Sequence, residues 1–351
     1  MAGKIKIATF NCENLFNRIT IFRESEQKAH ELLEAVDKLN AELKKPVFDQ
    51  AEIARLKTIL KGFASINDIK NKHTTAGIGA REWFGWIEYN QQPAEDASIQ
   101  NLARVIAETD ADIICLIEVE NRTVLQKFHD DILYKHYLKP FGKRKYEHIM
   151  LIDANDPRGI DVSLMSRLPI ISMKSYLDDT TSYLGKITKT FSRDCLHVTL
   201  DIGADRPLNL FINHLKSQGY SGEGDPGGNI RREGQAKRVA EIINTLDLQN
   251  DLVIVAGDLN CDPSNNSLAP LLNRSDLFNL NMKLPPDERG TYLTGKKQLD
   301  YLIVTKPLEK RMTQLKVIKR GIFKYPDHYP TVTDKVSQAS DHAAVVAEFD
   351  F

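Results

Sequence analysis

The sequence predicts a layered α/β protein that carries a helical insertion. Three observations lead there. Short apolar runs of strand length recur along the 351 residues, amphipathic helical stretches fall between some of them, and residues 24–72 change to a helical pattern alone. A chain of this length can build one large domain or two ordinary ones around a substantial core.

The strand-like runs are 5–10, 113–117, 149–152, 162–165, 208–213, 252–256, 301–304 and 343–349, each rich in Ile, Val, Leu, Phe or Tyr and bounded by turn formers or charges. Lys4-Ile5-Lys6-Ile7 alternates polar and apolar residues. Leu252-Val253-Ile254-Val255-Ala256 is apolar throughout, so that strand is expected to be buried on both faces. Helices are expected at 99–108, with apolar residues at 99, 102, 103, 106 and 107, and at 233–246, with 236, 239, 240, 243 and 246. Within the insertion, Leu32, Val36, Leu39 and Leu43 mark one helical face that Pro46 terminates. Asp49 and Glu52 have capping-box spacing before Ile53, Leu56 and Leu60, and Gly62 closes that second helix.

Composition narrows the setting. The 42% hydrophobic and 27% charged content is that of a globular protein, and 47 Lys plus Arg nearly cancel 48 Asp plus Glu. No global positive field therefore draws the chain to polyanions, so a nucleic-acid partner needs local patches or bound cations. No stretch approaches a membrane span and the N-terminus lacks a signal-peptide apolar region, which points to the cytoplasm; a trimmed leader leaves the same trace. Cys12, Cys115, Cys195 and Cys261 sit singly in apolar runs, as buried free thiols do.

Polar residues recur where apolar runs stop. Asn11 and Glu13 follow the first run, Glu118 the second, His214 the run at 208–213, and Asp258 and Asn260 the run at 252–256. Asp300 precedes one run, and Asp341-His342 precede the last. A carboxylate at a buried strand end is costly without a cation or donors. Each alone is ordinary strand capping; aligned at one rim they demand a shared counter-charge. Carboxylate and amide oxygens without thiolates favour Mg²⁺ or Mn²⁺. Gly257-Asp258-Leu259-Asn260 is the most telling fragment, because residues two apart in extended chain point the same way.

The ordered set Thr9-Phe10-Asn11-Cys12-Glu13-Asn14-Leu15-Phe16, Leu116-Ile117-Glu118-Val119-Glu120-Asn121, Asn213-His214-Leu215-Lys216-Ser217, Gly257-Asp258-Leu259-Asn260, Leu299-Asp300-Tyr301 and Ser340-Asp341-His342 resembles the endonuclease/exonuclease/phosphatase superfamily, and its deoxyribonuclease-like bacterial members in particular. The resemblance implies a four-layer α/β sandwich of two facing, mainly antiparallel sheets with outer helices. It implies one catalytic domain over 1–351, with the helical insertion inside 17–100. It also implies a divalent-metal-dependent phosphodiesterase, a nuclease hydrolysing DNA or RNA. Glu118 then stands as the main metal ligand, with Asn11, Glu13 and Asp341 beside the metal. Asp258 handles the attacking water, Asn260 and Asn11 bind phosphate, and His342, held by Asp300, contacts the phosphate or serves as acid or base. Thr190-Phe191-Ser192-Arg193 matches a segment whose arginine approaches a substrate phosphate; an edge-strand surface arginine is the bland alternative. His214 matches a second histidine, with Asp161 as its carboxylate partner. Departures are Ile117 where many members have Gln, Leu259 where Phe is common, and the insertion itself.

Basic clusters are the candidates for substrate contacts. They are Arg231, Arg232, Lys237 and Arg238 after the glycine-rich loop from Gln218; Lys139, Lys143, Arg144 and Lys145 around Phe141 and Tyr146; and Lys316, Lys319, Arg320 and Lys324 around Ile322 and Phe323. Trp83 and Trp86 offer base stacking or, in the plainer reading, burial. A phosphoesterase acting on a phospholipid head group or a soluble ester, and a non-catalytic binding module, stand as the competing functions.

Overall fold

The computed structural model describes residues 3–16, 18–66, 87–92, 97–219 and 224–351. It divides into two compact units, one of Met1–Phe16 with Glu95–Phe351 and one of Asn17–Ala94.

Twelve strands of the larger unit form two six-stranded sheets. In chain order they are β1 (Lys4–Leu15), β2 (Ile113–Val119), β3 (His148–Leu151), β4 (Asp161–Ser166), β5 (Ile170–Lys174), β6 (Cys195–Leu200), β7 (Leu208–His214), β8 (Leu252–Asp258), β9 (Leu277–Asn279), β10 (Asp300–Thr305), β11 (Met312–Ile318) and β12 (Ala344–Asp350). The first sheet runs β11-β12-β1-β2-β4-β3 and the second β9-β10-β8-β7-β6-β5. Both are mainly antiparallel, with one parallel pair each, β1/β2 and β7/β8.

Side-chain alternation explains the layers. Ile5, Ile7, Ile113, Cys115 and Ile117 of the first sheet meet Leu208, Leu210, Ile212, Leu252, Ile254 and Ala256 of the second in one apolar layer. The opposite faces carry Ala8, Phe10, Ile114 and Leu116 under helix Ala97–Thr109, and Phe211, Val253, Val255, Tyr301 and Ile303 under helix Asn229–Ile243. The result is the four-layer sandwich, and strand Leu252–Asp258 is indeed buried on both faces. The four cysteines are free and buried. Among the described residues no helix is long and apolar enough to cross a membrane.

The smaller unit has its own core of Leu32, Val36, Leu39, Leu43, Ile53, Leu56 and Leu60. Its helices are Glu26–Leu43 and Gln50–Ile59, and the second begins with Asp49 accepting from the N–H groups of Ala51 and Glu52. The reciprocal half of the expected capping box is not made. Asp49 N–H donates to Glu42 at 2.7 Å, and Glu52 takes Arg55 instead. Trp83 and Trp86 lie outside the described residues.

Two of the basic clusters serve the fold. Lys143 and Arg144 pair with Asp110 and Asp112, beside Lys6, at the end of β1 and β2 away from Asn11 and Glu118. Arg231 donates to Thr188 and Lys189, Arg232 is fully buried on Gly227 and Asn229, and Lys237 and Arg238 pair with Glu233 and Asp179. In the third, Lys316 belongs to edge strand β11, and buried Lys319 donates to the carbonyls of Asp287 and Gly295. Lys143, Arg144, Arg231, Arg232, Lys237, Arg238 and Lys319 are thus engaged with local carboxylates, hydroxyls and carbonyls.

Candidate active site

The rim forms where the two parallel pairs end. His214, Asp258 and Asp300 lie abreast on β7, β8 and β10, since His214 pairs with Asp258 and Asp258 with Asp300. On the first sheet Asn11 pairs with Ile117, and the register then slips on both sides of Glu118. That irregularity gives Glu118 a φ of 64°, re-aiming a side chain that regular pleating would turn elsewhere. Glu13, Asn14 and Asn260 also have positive φ, at 47°, 69° and 54°. Strained non-glycine backbone gathered at one rim is a mark of a functional site. Gly257 is required sterically, because a Cβ there would fall 2.0 Å from the Asn213 carbonyl oxygen.

The side chains converge. Asn11 Nδ2 donates to Asp258 Oδ2 at 3.1 Å, and its Oδ1 accepts the Glu13 N–H at 3.0 Å. Asp258 accepts the Asn260 N–H at 2.7 Å and its Nδ2 at 3.2 Å. His214 Nε2 stands 3.7 Å from both Glu118 and Asp258. His342 Nδ1 is 2.8 Å from Asp300 Oδ2, leaving Nε2 3.7 Å from Asp341 and 3.9 Å from Asp258. Glu13 Oε2 accepts from Gln338 and from the Asp341 N–H, both at 2.8 Å, so this carboxylate anchors the turn that presents Asp341 and His342. Glu13, Glu118, His214, Asp258, Asn260, Asp341 and His342 line a cleft of about 460 Å³.

Electrostatics follow from crowding. Burial raises the carboxyls of Glu13 and Glu118 above their ordinary range. Burial likewise raises Asp258, with the His342 charge opposing and Asp300 reinforcing. His342 is raised although burial works against its charge, because Asp300 and Asp258 hold the imidazolium. His214 moves the other way, kept neutral by burial and by Arg193. Five carboxylates thus face one imidazolium, through oxygens with no thiolate among them. That donor set fits a hard divalent cation such as Mg²⁺ or Mn²⁺. Among the described residues, Asp258, Asp300 and His342 form a group whose ligating atoms lie within 4.8 Å of one another. Asp300 Oδ2 is bonded to Thr291 and His342, while its Oδ1 is buried without a hydrogen-bond partner.

Two sequence expectations change. Asp161 does not pair with His214; it accepts the Ala154 N–H at 3.2 Å, while its Oδ2 and His214 Nδ1 are both buried without a hydrogen-bond partner. Arg193 is no surface arginine. It is 3% exposed, lines the cleft and lies 3.1 Å from Asp156. The sequence reading also passed over Thr291, whose hydroxyl accepts the N–H groups of Leu299 and Asp300 and donates to Asp300 Oδ2 at 2.6 Å. Tyr292, its ring 4.9 Å from that of His342, was missed as well. Both precede the Asp300 strand in Gly290-Thr291-Tyr292, where a polar pair after glycine is the only local signal.

Four layers closed by an acidic rim with amides and two histidines are the architecture that the motif order implied. The profile of the Endonuclease/Exonuclease/phosphatase family matches residues 70–330, and the chain belongs to that family. The matched span stops short of Asn11, Glu13, Asp341 and His342, which the fold joins to the rest. Similar solved structures include an endonuclease/exonuclease/phosphatase from Bacteroides vulgatus, 10% identical with TM-score 0.52 over 99% of each chain. Another is a D. rerio TDP2 humanized by 14 mutations, 13% identical with TM-score 0.50 over 99% of each chain. An endonuclease/exonuclease/phosphatase family protein from Leptotrichia buccalis is 17% identical with TM-score 0.49, covering 72% of this chain and 93% of its own. No curated protein matches the sequence.

Proposed function

We propose that the protein is a divalent-metal-dependent nuclease that hydrolyses phosphodiester bonds in DNA. The observation that carries this reading is the meeting of Asn11, Glu118, Asp258 and His342 at one rim, with Asp258 held by two amides and 3.9 Å from His342 Nε2. Glu118 and Asp341, with Asn11 beside them, would hold the Mg²⁺ or Mn²⁺. When bound, the cation neutralises the phosphate and stabilises charge that develops on its oxygens.

The remaining work falls to the chain. Asp258, fixed by Asn11 and Asn260, orients a water for attack on phosphorus and takes its proton. Burial suits it to this role by raising its proton affinity. His342 is held by Asp300, and Thr291 fixes Asp300 in turn, so the imidazolium presents Nε2–H to a phosphoryl or leaving oxygen. Neutral His214 and the Asn11 and Asn260 amides donate to the other oxygens. Such preorganised donors commonly lower barriers by about 3–4 kcal/mol each.

Asp258→Asn and His342→Ala are expected to lose plasmid nicking by at least about a hundredfold with unchanged circular dichroism. Full nicking by both variants would refute the roles. A panel of DNA, RNA, sphingomyelin and inositol phosphates, each with Mg²⁺ and with Mn²⁺, tests the substrate, with DNA expected to be cleaved fastest.

A further inference from the structure

Asp300 and His342 meet across the sandwich, because β10 belongs to the second sheet while His342 leads into β12 of the first. Pairing within either sheet does not by itself fix one strand end against the other. The turn 290–297 does. Its Thr291 hydroxyl donates to Asp300 Oδ2 at 2.6 Å, and the Thr291 carbonyl accepts the Ala343 N–H at 2.7 Å. The Leu293 N–H donates to the Asp341 carbonyl, also at 2.7 Å. His342 is thus held on both sides by main-chain bonds to one turn, with Tyr292 opposite it as its bridge partner.

Lys319 supports this turn. It directly follows β11 of the first sheet, is 7% exposed, and donates through Nζ to the carbonyls of Asp287 at 3.3 Å and Gly295 at 3.4 Å. The Tyr325 ring faces the ammonium at 5.8 Å. The stem runs so close to the turn that a Cβ on Gly295 would fall 2.9 Å from Lys319 Cδ. Gly290 closes the other side, since a Cβ there would stand 2.0 Å from the Gly295 carbonyl oxygen. A buried ammonium is costly unless its donors are met, so an apolar residue of that length would serve better as mere filling. Both bonds run to main-chain carbonyls, so what the charge secures is the path of the chain that carries them.

We infer that Lys319 is a positioning residue for the Asp300–His342 pair: its buried ammonium ties the turn 290–297 to the first sheet and so sets where His342 stands relative to Asp258. It acts through Thr291 and Leu293 and touches no substrate. This rests on the reading of the rim as a phosphodiester-cleaving site and deepens it, by naming what keeps a pair drawn from two sheets in register.

Lys319→Met keeps the length and the apolar stem but removes the charge and the donors. It should lower kcat at least about tenfold on both plasmid DNA and bis(p-nitrophenyl) phosphate and leave KM within about twofold, because the defect lies at the reacting centre. In an Asp300→Asn background the same substitution should cost less than about twofold, since the pair it positions is already broken. Amide exchange reads the position without turnover. The Leu293 and Ala343 amides should exchange at least about tenfold faster in Lys319→Met, with those of β8 unchanged. Lys319→Gln keeps a donor without the charge; it should show the same pattern at smaller size, and it serves where Lys319→Met does not fold. A wild-type kcat, losses that multiply in the double variant, or exchange that is unchanged or rises equally in β8 would each overturn the positioning role and leave the hydrolytic reading intact. A wild-type protein that cleaves neither substrate would instead remove the hydrolytic reading, and this inference with it.

Discussion

A carboxyl group buried without a cation holds its proton more tightly, and Asp161 is such a group. Its side chain has no exposure, one oxygen accepts a single backbone N–H and the other has no partner. Burial, reinforced by Asp153, pushes its pKa up to about 7. In the unfolded chain the same group ionises near its ordinary value, about 4. The folded state therefore binds more protons between those values, and stability must fall as pH rises through that window. The penalty is absent below about 4 and complete above about 7, with an upper limit on the order of 4 kcal/mol. Asp161→Asn removes the titration. The melting temperature of the variant minus that of the wild type is expected to climb between pH 4 and 7 and then level off. A difference that stays flat with pH would show that Asp161 ionises freely in the folded protein.

Strand β8 shows how much one position can fix. Its register against β7 puts Gly257 beside Asn213, where a Cβ would lie 2.0 Å from a carbonyl oxygen, and its φ of 125° belongs to glycine. Gly257→Ala must therefore shift β7 from β8 or strain the turn, at a cost of about 3 kcal/mol or more. Because Asp258 and His214 are the next pair along, activity should fall further than lost stability accounts for, even at temperatures where circular dichroism shows a folded protein. Retention of both would place the strands differently. The interior strands were readable from sequence because burial on both faces leaves continuous Ile, Val and Leu, as in 252–256. The strands that were missed are mostly edges. β5, β9 and β11 flank the sheets, and their half-exposed residues mix polar with apolar, while β6 hides behind the alternation of His197 and Thr199. The site divides the same way. Acids and amides at strand ends were visible as residue types, but the slipped register that aims Glu118 and the pairing of Arg193 with Asp156 depend on contacts that no local pattern encodes. Leu184 in the left-handed region of the Tyr183-Leu184-Gly185-Lys186 turn, where Asn or Gly would announce a hairpin, was hidden for a related reason.

The net charge of the chain, −1, conceals a sharp local imbalance. Glu13, Glu118, Asp258, Asp300 and Asp341 crowd a rim where the His342 imidazolium faces three of them, and the Arg193 of the same cleft shares Asp156 with Arg158. Without a metal, this repulsion works against the fold; a cation held by Glu118 and Asp341, as proposed, would offset it. A cation that binds only the folded protein adds stability that grows with its concentration, about 2.7 kcal/mol at a hundredfold excess over its dissociation constant. Calorimetry should therefore show the main transition rising with Mg²⁺ or Mn²⁺ and falling back on chelation. Glu118→Gln separates this from a general salt effect through a change of sign. In chelator the variant should melt at or above the wild-type temperature, because a buried carboxylate raised by desolvation has been removed. In Mg²⁺ it should melt below the wild type, because the ligand has gone with the charge. Curves that do not cross would mean that Glu118 is not where the cation binds, and the charge at the rim would then need another partner.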